Sequence, residues 1–345
     1  MNTVDYELIW RKSLIRVTDE FALPPVVLQV GEAIIGTLGN FSVSTGKAKA
    51  KKTFNVSAIV AAALVNGQVL EYKASFPESK RNILYFDTEQ SPYHCRMVLQ
   101  RILCLAGLPT DQEPQHLVFS HLRSIADPNV RREIIRHAIY NTPNVGLVVI
   151  DGIRDLMLDI NNSTEATRLV GELMQWTSEQ NIHIQTVLHL NKGDDNTRGH
   201  IGTELNNKAE TVLQIAKDNI ESERSVVLPA IIRTKPFDKF AFRLCEQEDG
   251  ICVPELDASF VDNSARSKQT TFQNLSEQLH HQVLTTAFAK KEQLPYGELI
   301  EALKGAYCHI AGQTYGQTKL KELLRFLLNR QWLIKEERGK YRLRL

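Results

Sequence analysis

The chain has 345 residues, 43% hydrophobic and 23% charged, enough apolar material for a sizeable core and, at roughly 150 residues per domain, for one large and one small domain. Its most apolar window, residues 56–65, falls far short of the ~20 residues that span a bilayer, and its first residues hold no signal-length apolar core; both argue against a membrane or secreted protein and for a cytoplasmic one. The net charge of +1 hides an asymmetry: residues 266–345 carry 14 Lys and Arg against 7 Asp and Glu, whereas the whole chain carries 41 against 40, so a basic tail follows a mildly acidic body.

Residues 1–30 read as a leader, with a helix over 5–18 that Pro24-Pro25 terminates. From 31 to 254, β-rich runs at 39–45, 82–87, 117–120, 145–151, 182–189, 211–215 and 225–233 are interspersed with helical stretches at 53–66, 92–106, 129–141 and 163–179. Strands that are nearly continuous apolar runs, separated by helices, imply a mainly parallel sheet covered on both faces, an α/β architecture. The last strands follow one another without helices, which implies an antiparallel extension at one sheet edge. Residues 255–273 are polar and without apolar period, as in a linker. Helical stretches at 274–290, 296–307 and 314–330 come next, then an alternating segment, 332–345, that turns at Arg338-Gly339 as a hairpin does. Three helices and a terminal hairpin are the order of a small winged-helix domain, placed at 274–345. The five cysteines form no CxxC pair and are odd in number, a pattern of buried or incidental thiols in a reducing compartment.

The sharpest motif is Gly46-Lys47-Ala48-Lys49-Ala50-Lys51-Lys52-Thr53. It has the spacing of G-x-x-x-x-G-K-[ST], with Lys51 in place of the second glycine, and it lies between an apolar strand and a helix. Gly46 permits the tight turn; the loop's N–H groups and the helix N-terminus face an anion; Lys52 reaches the β- and γ-phosphates; the Thr53 hydroxyl holds Mg²⁺. Lys51 either keeps the loop's shape or lies outside its tightest turn, and its charge either adds phosphate attraction or alters the site. The apolar strand ending in Asp151 has the form of a Walker B, whose carboxylate positions the metal. Asp151 is followed by Gly152, so the carboxylate that activates water must come from elsewhere. Glu89, at the end of the strand after the phosphate-loop helix, is the candidate. Taken singly, each motif also reads as a basic surface loop or a polar strand end; their order and spacing favour ATP and Mg²⁺.

These segments, GKAKAKKTF, ILYFDTEQS, LVVIDGIRDL and VLHLNKGDDNTRGHIGTEL, resemble the RecA-like superfamily, in particular the RepA and DnaB group of hexameric helicases and the AAA-type ATPases of bacterial mobile elements and plasmids. The resemblance spans about residues 30–245. It implies that Glu89 is the catalytic base and that His189, ending a core strand, senses the γ-phosphate. It also implies that residues 191–203 form a mobile loop facing a central pore, with Lys192, Arg198 and His200 as DNA contacts. In hexameric relatives a basic pair placed like Arg233 and Lys235 reaches into the neighbouring subunit's site. The plain alternatives are a strand-end histidine, a solvated loop and a basic strand end.

In the C-terminal module, the segment 317–330 puts Leu320, Leu323, Leu324, Leu327 and Leu328 on one face and Lys319, Lys321, Arg325 and Asn329 towards the other. Such a helix can enter a major groove, with hairpin cations such as Lys340 on the flanking backbone. The same module can instead dock protein, which Glu336 and Glu337 favour. The expected activity is that of an ATP-dependent helicase or translocase acting on single- or double-stranded DNA as a homo-oligomeric, hexameric ring. The alternatives are a nucleotide-gated DNA-binding regulator with little or no hydrolysis, and a signalling ATPase with no nucleic-acid role.

Overall fold

The fold is given by a computed structural model, which describes residues 5–190, 199–218, 221–262, 272–289, 291–312, 314–336 and 339–344. The chain separates into two compact units, one ending at Phe260 and one beginning at Val261.

The first unit opens with α1 (Tyr6–Ser13), β1 (Val26–Val30), β2 (Ala33–Thr37), β3 (Phe41–Gly46), α2 (Lys52–Val65), β4 (Gln68–Val69) and β5 (Tyr72–Ala74). It continues with β6 (Asn82–Asp87), α3 (Pro92–Leu105), β7 (Leu117–His121), α4 (Pro128–Asn141), β8 (Val145–Asp151), α5 (Ser163–Gln180) and β9 (His183–His189). The last elements are α6 (Gly199–Lys208), β10 (Thr211–Lys217), β11 (Ser225–Ile232), β12 (Phe240–Glu246) and β13 (Cys252–Leu256). A nine-stranded sheet runs β13-β12-β11-β10-β3-β9-β8-β6-β7. Strands β10, β3, β9, β8, β6 and β7 pair in parallel, and β11, β12 and β13 extend the β10 edge antiparallel. The α/β class, the mainly parallel sheet and the antiparallel edge are therefore as the sequence indicates.

The central parallel strands β3, β6, β8 and β9 are buried at nearly every position, polar side chains included, because both faces are covered. Alternate residues serve alternate cores: Ile83, Tyr85, Leu147 and Val149 pack with α2 and α3, while Leu84, Phe86, Val148 and Ile150 pack with α4, α5 and α6. Helix α2 is almost wholly interior, and its run of alanines and β-branched residues lets it lie close to the sheet.

Three readings are corrected. Residues 26–30, assigned to the leader, form β1, which pairs with β2 and with β5 in a separate four-stranded sheet. The N-terminal helix covers Tyr6–Ser13 only and buries none of its residues. Of the expected mobile loop, residues 199–203 belong to α6, where Ile201 and Leu205, one turn apart, are fully buried; residues 191–198, with Lys192 and Arg198, lie outside the described residues.

The second unit contains α7 (Glu277–Ala287), β14 (Leu294–Pro295), α8 (Tyr296–Ala311), α9 (Gln317–Asn329), β15 (Leu333–Lys335) and β16 (Lys340–Leu343). Its antiparallel sheet has the order β14-β16-β15. Leu320, Leu323, Leu324 and Leu327 of α9 are buried with Leu299, Leu303 and Tyr307. Deep in this core His280 meets the Tyr307 hydroxyl through Nδ1 at 2.5 Å and the Phe272 carbonyl through Nε2 at 2.7 Å. The carbonyl can only accept, so Nε2 carries the proton and Nδ1 accepts from the tyrosine. Among the described residues no helix is long and apolar enough to cross a membrane.

Candidate nucleotide site

Parallel register gathers the sequence motifs at one rim of the large sheet. Gly46 pairs with His189 across β3 and β9, and Asp87 pairs with Asp151 across β6 and β8, so four neighbouring strands deliver their carboxyl ends side by side. This is where open α/β sheets bind ligands.

Gly46 is required by space as well as by the turn. A Cβ there would stand 2.3 Å from the Ile215 carbonyl oxygen of β10. The loop then climbs to α2 through two left-handed residues, Lys49 (φ 63°) and Lys51 (φ 66°). Each costs a side-chain-bearing residue roughly 1 kcal/mol relative to glycine. Lys51 thus keeps the conformation that the missing glycine would supply, and Lys49 is a second such position that the sequence pattern did not mark.

Lys52, at the first position of α2, is buried; its Nζ donates to the carbonyls of Gly46 (3.0 Å) and Lys47 (3.2 Å) and lies 2.9 Å from His189 Nδ1. Burial lowers its pKa, and the carboxylates of Asp151 and Glu89 work against that. An ammonium facing Nδ1 makes that nitrogen the acceptor, so Nε2 bears the imidazole proton and points at Glu89 Oε1, 3.6 Å away. Contact with His189, then the charges of Lys52 and Arg154, hold the Glu89 pKa below the ordinary value in spite of burial.

The Thr53 hydroxyl donates to Asp151 Oδ2 at 3.0 Å, and the buried Tyr85 hydroxyl donates to the same oxygen at 3.0 Å. Asp151 is pushed up to about 6, first by burial and then by the charges of Asp87 and Glu89, with both hydrogen bonds opposing. A hydroxyl and one carboxylate at the mouth of a phosphate loop suit Mg²⁺, which keeps most of its shell as water and phosphate oxygen and needs only one or two protein ligands.

Asp87 organises the turn that carries Glu89. Its Oδ1 accepts from the amides of Glu89 (3.0 Å) and Gln90 (2.7 Å), and its Oδ2 accepts from Gln90 Nε2 (2.6 Å). Thr88 stitches the ends of β6 and β8 together: its amide donates to the Asp151 carbonyl, and its hydroxyl accepts from the Gly152 amide. A Cβ on Gly152 would lie 2.7 Å from Glu89 Oε1. The glycine after the Walker B aspartate therefore makes room for the carboxylate on the neighbouring strand.

The structure brings together Gly46, Lys47, Ala48, Lys49, Ala50, Lys51, Lys52, Thr53, Glu89, Asp151 and His189. It does not bring Arg233 and Lys235 to them. Strand β11 runs antiparallel and pairs Ile232 with Thr211, which in turn pairs with Ser42 near the start of β3, so both cations lie past the opposite rim. Arg233 donates to the Lys208 carbonyl there. His200 sits exposed in the first turn of α6. In the second unit Lys321, Arg325 and Lys340 are exposed, while Lys319 is ion-paired with Glu322 at 2.8 Å. Tyr85, Asp87 and Thr88 were missed as supporting residues. The sole signal was a tyrosine, an aspartate and a threonine at the end of an otherwise apolar strand.

A family profile, the AAA domain, matches residues 22–195. A solved structure described as the crystal structure of the RadB recombinase is similar with a TM-score of 0.43 and 17% identity, over 62% of this chain and 90% of that one. No curated protein sequence matches the chain. With half of its length matched, and with the Gly46–Thr53 loop, Asp151 and Glu89 on one rim of the sheet, the chain belongs to the AAA domain family of P-loop ATPases.

Proposed function

We propose that this protein is a RecA-like, ATP-driven, DNA-acting machine of a mobile element or plasmid, a cytoplasmic helicase or translocase that works as a hexameric ring in replication or transfer. The observation that carries the reading is the convergence of Lys52, Thr53, Asp151 and Glu89 on adjacent strand ends, with the Glu89 pKa held low by His189 and by the charges of Lys52 and Arg154. Lys52 neutralises charge on the β- and γ-phosphates. Asp151 and Thr53 hold Mg²⁺, which supplies charge stabilisation to the phosphate oxygens. Glu89 accepts a proton from the attacking water, and His189, between Lys52 and Glu89, is placed to register the terminal phosphate.

Arg233 and Lys235, remote from this chain's own loop, serve the site of a neighbouring subunit. The second unit has the helix-strand-helix-helix-hairpin order of a winged helix, and the exposed Lys321 and Arg325 of α9, with Lys319 and with Lys340 on β16, meet DNA. Lys192 and Arg198, between β9 and α6, and His200, in the first turn of α6, contact DNA. Steady-state ATP hydrolysis with and without single-stranded DNA, beside Lys52→Ala and Glu89→Gln, is the test. DNA stimulation lost in both variants supports the machine, with Glu89→Gln lowering turnover by about 10²–10⁴-fold while retaining nucleotide.

A second reading, a nucleotide-gated DNA-binding regulator, draws on Lys49 and Lys51. Lysines stand at both left-handed positions of the loop, and their charge suits holding a nucleotide more than turning it over. Nucleotide binding with turnover no higher than that of Glu89→Gln, with or without DNA, would establish this regulator and dismiss the motor.

A further inference from the structure

The phosphate loop is held from outside by the β10–β11 turn. Lys51 Nζ donates to the Glu223 backbone carbonyl at 2.6 Å, and the Ser225 hydroxyl lies 3.5 Å from the Ala50 carbonyl. Beneath these contacts, Gly46 touches Ile215 so closely that it has no room for a side chain. The turn is itself fixed by a dense ion cluster. The buried Arg224 guanidinium reaches Asp257 (2.8 Å), Asp218 (3.0 Å) and Glu221 (2.6 Å), and Arg243 on β12 shares Asp257 (2.6 Å) and Glu221. The Arg224 amide and carbonyl are also bonded, to Glu221 and Asp218. Residue 223 precedes the arginine at the centre of this network, so its carbonyl is a rigid acceptor. The edge strands β12 and β13, which carry Arg243 and lead into Asp257, are thereby linked to the loop through one lysine.

We propose that Lys51 is a positioning residue: its ammonium ties the phosphate loop to the Glu223 carbonyl, and the Arg224–Asp257 cluster that fixes this carbonyl sets the loop's affinity for nucleotide. The proposal rests on the nucleotide-binding reading above and gives the lysine that replaces the usual glycine a task of its own. A charged donor on a rigid carbonyl restrains the left-handed backbone of its own residue, where glycine would be free to leave it. It also makes the sheet edge, far along the chain, part of the phosphate site.

The test uses the full chain. Amide hydrogen exchange without nucleotide is followed in peptides covering 46–53 and 211–232 for wild type, Lys51→Ala, Lys51→Arg and Glu223→Ala. Lys51→Ala should speed exchange in the 46–53 peptide about five-fold. Lys51→Arg, whose guanidinium can still donate, should restore it, and Glu223→Ala should change nothing, because the acceptor is backbone. Unchanged exchange in Lys51→Ala, or equal acceleration by Glu223→Ala, would overturn the tether. Titration with a fluorescent ATP analogue then compares Lys51→Ala, Asp257→Asn and the double variant. The expectation is about five-fold weaker binding for Lys51→Ala and no further loss in the double variant, since both changes act through one contact. Additive losses mean that Lys51 touches phosphate independently and refute the proposal. A wild type that binds no analogue refutes the nucleotide reading instead, and the exchange data still decide whether the tether exists.

Discussion

A Cβ on residue 152 would clash with the far end of the Glu89 side chain, which can swing away, and meet the Val187 carbonyl at an ordinary 3.7 Å, so Gly152→Ala should leave the fold intact and move the carboxylate. The expected outcome is a kcat lowered at least about ten-fold with near-normal nucleotide affinity and unchanged Tm, measured by turnover, analogue titration and thermal melting. Asp151 gives a prediction with a sign. Its pKa is raised to about 6, so the fold favours its neutral form; its own contribution to stability is fully present below the ordinary carboxylate range and is lost as pH rises through about 6. Asp151→Asn should therefore stabilise the protein by roughly 1–3 kcal/mol at pH 8 and by nothing near pH 3, in urea titrations at the two pH values. In the wild type, protons compete with the metal, and the apparent Mg²⁺ affinity in turnover assays should fall about ten-fold per pH unit below about 6. The grouping of Lys52, Thr53, Asp151 and Glu89 was legible because the proposed chemistry demands fixed positions relative to strand ends. Tyr85, Asp87 and Thr88 were not, because what they do depends on the register of β6 against β8, which no local pattern encodes.

Elements that bury two faces or one clear stripe announced themselves. Strand β8 is apolar at nearly every position, β6 is apolar from Ile83 to Phe86, and α9 repeats leucine at helical spacing. The small sheet was illegible for a physical reason: its strands hold two to five residues, and β1 finds its partner β5 some 40 residues later. Helix α6 was hidden by composition. Gly199, Gly202, Asn206 and Asn207 disfavour a helix, and tertiary burial of Ile201 and Leu205 overrides them. A helix held by two side chains is sensitive to either, so Leu205→Ala should cost about 2–5 kcal/mol, seen as a lower urea midpoint with an unchanged m-value.

For the whole molecule, the sequence conveyed the α/β class and the basic tail, but not which basic residues share a site. The sequence reading gives Arg233 and Lys235 to a neighbouring subunit's site, and the antiparallel course of β11 puts them past the rim opposite this chain's own phosphate loop. A subunit whose cations serve another's site makes a specific prediction. Lys52→Ala and the double variant Arg233→Ala/Lys235→Ala, each inactive alone, should regain up to about a quarter of wild-type turnover when mixed in equal amounts, because mixed neighbours rebuild intact sites. No recovery at any mixing ratio would mean that the basic pair does not act in a neighbouring subunit's site. The opposed rims carry a further consequence for assembly. A contact that joins the phosphate loop of one copy to the basic strand end of another can be made in two ways: reciprocally across a twofold axis, which satisfies both ends in a closed pair, or head to tail. In the head-to-tail arrangement each copy added leaves the same two unlike ends free. Growth stops only where the turn between copies closes on itself; a small error in that angle would give an open helical filament built from the same contacts.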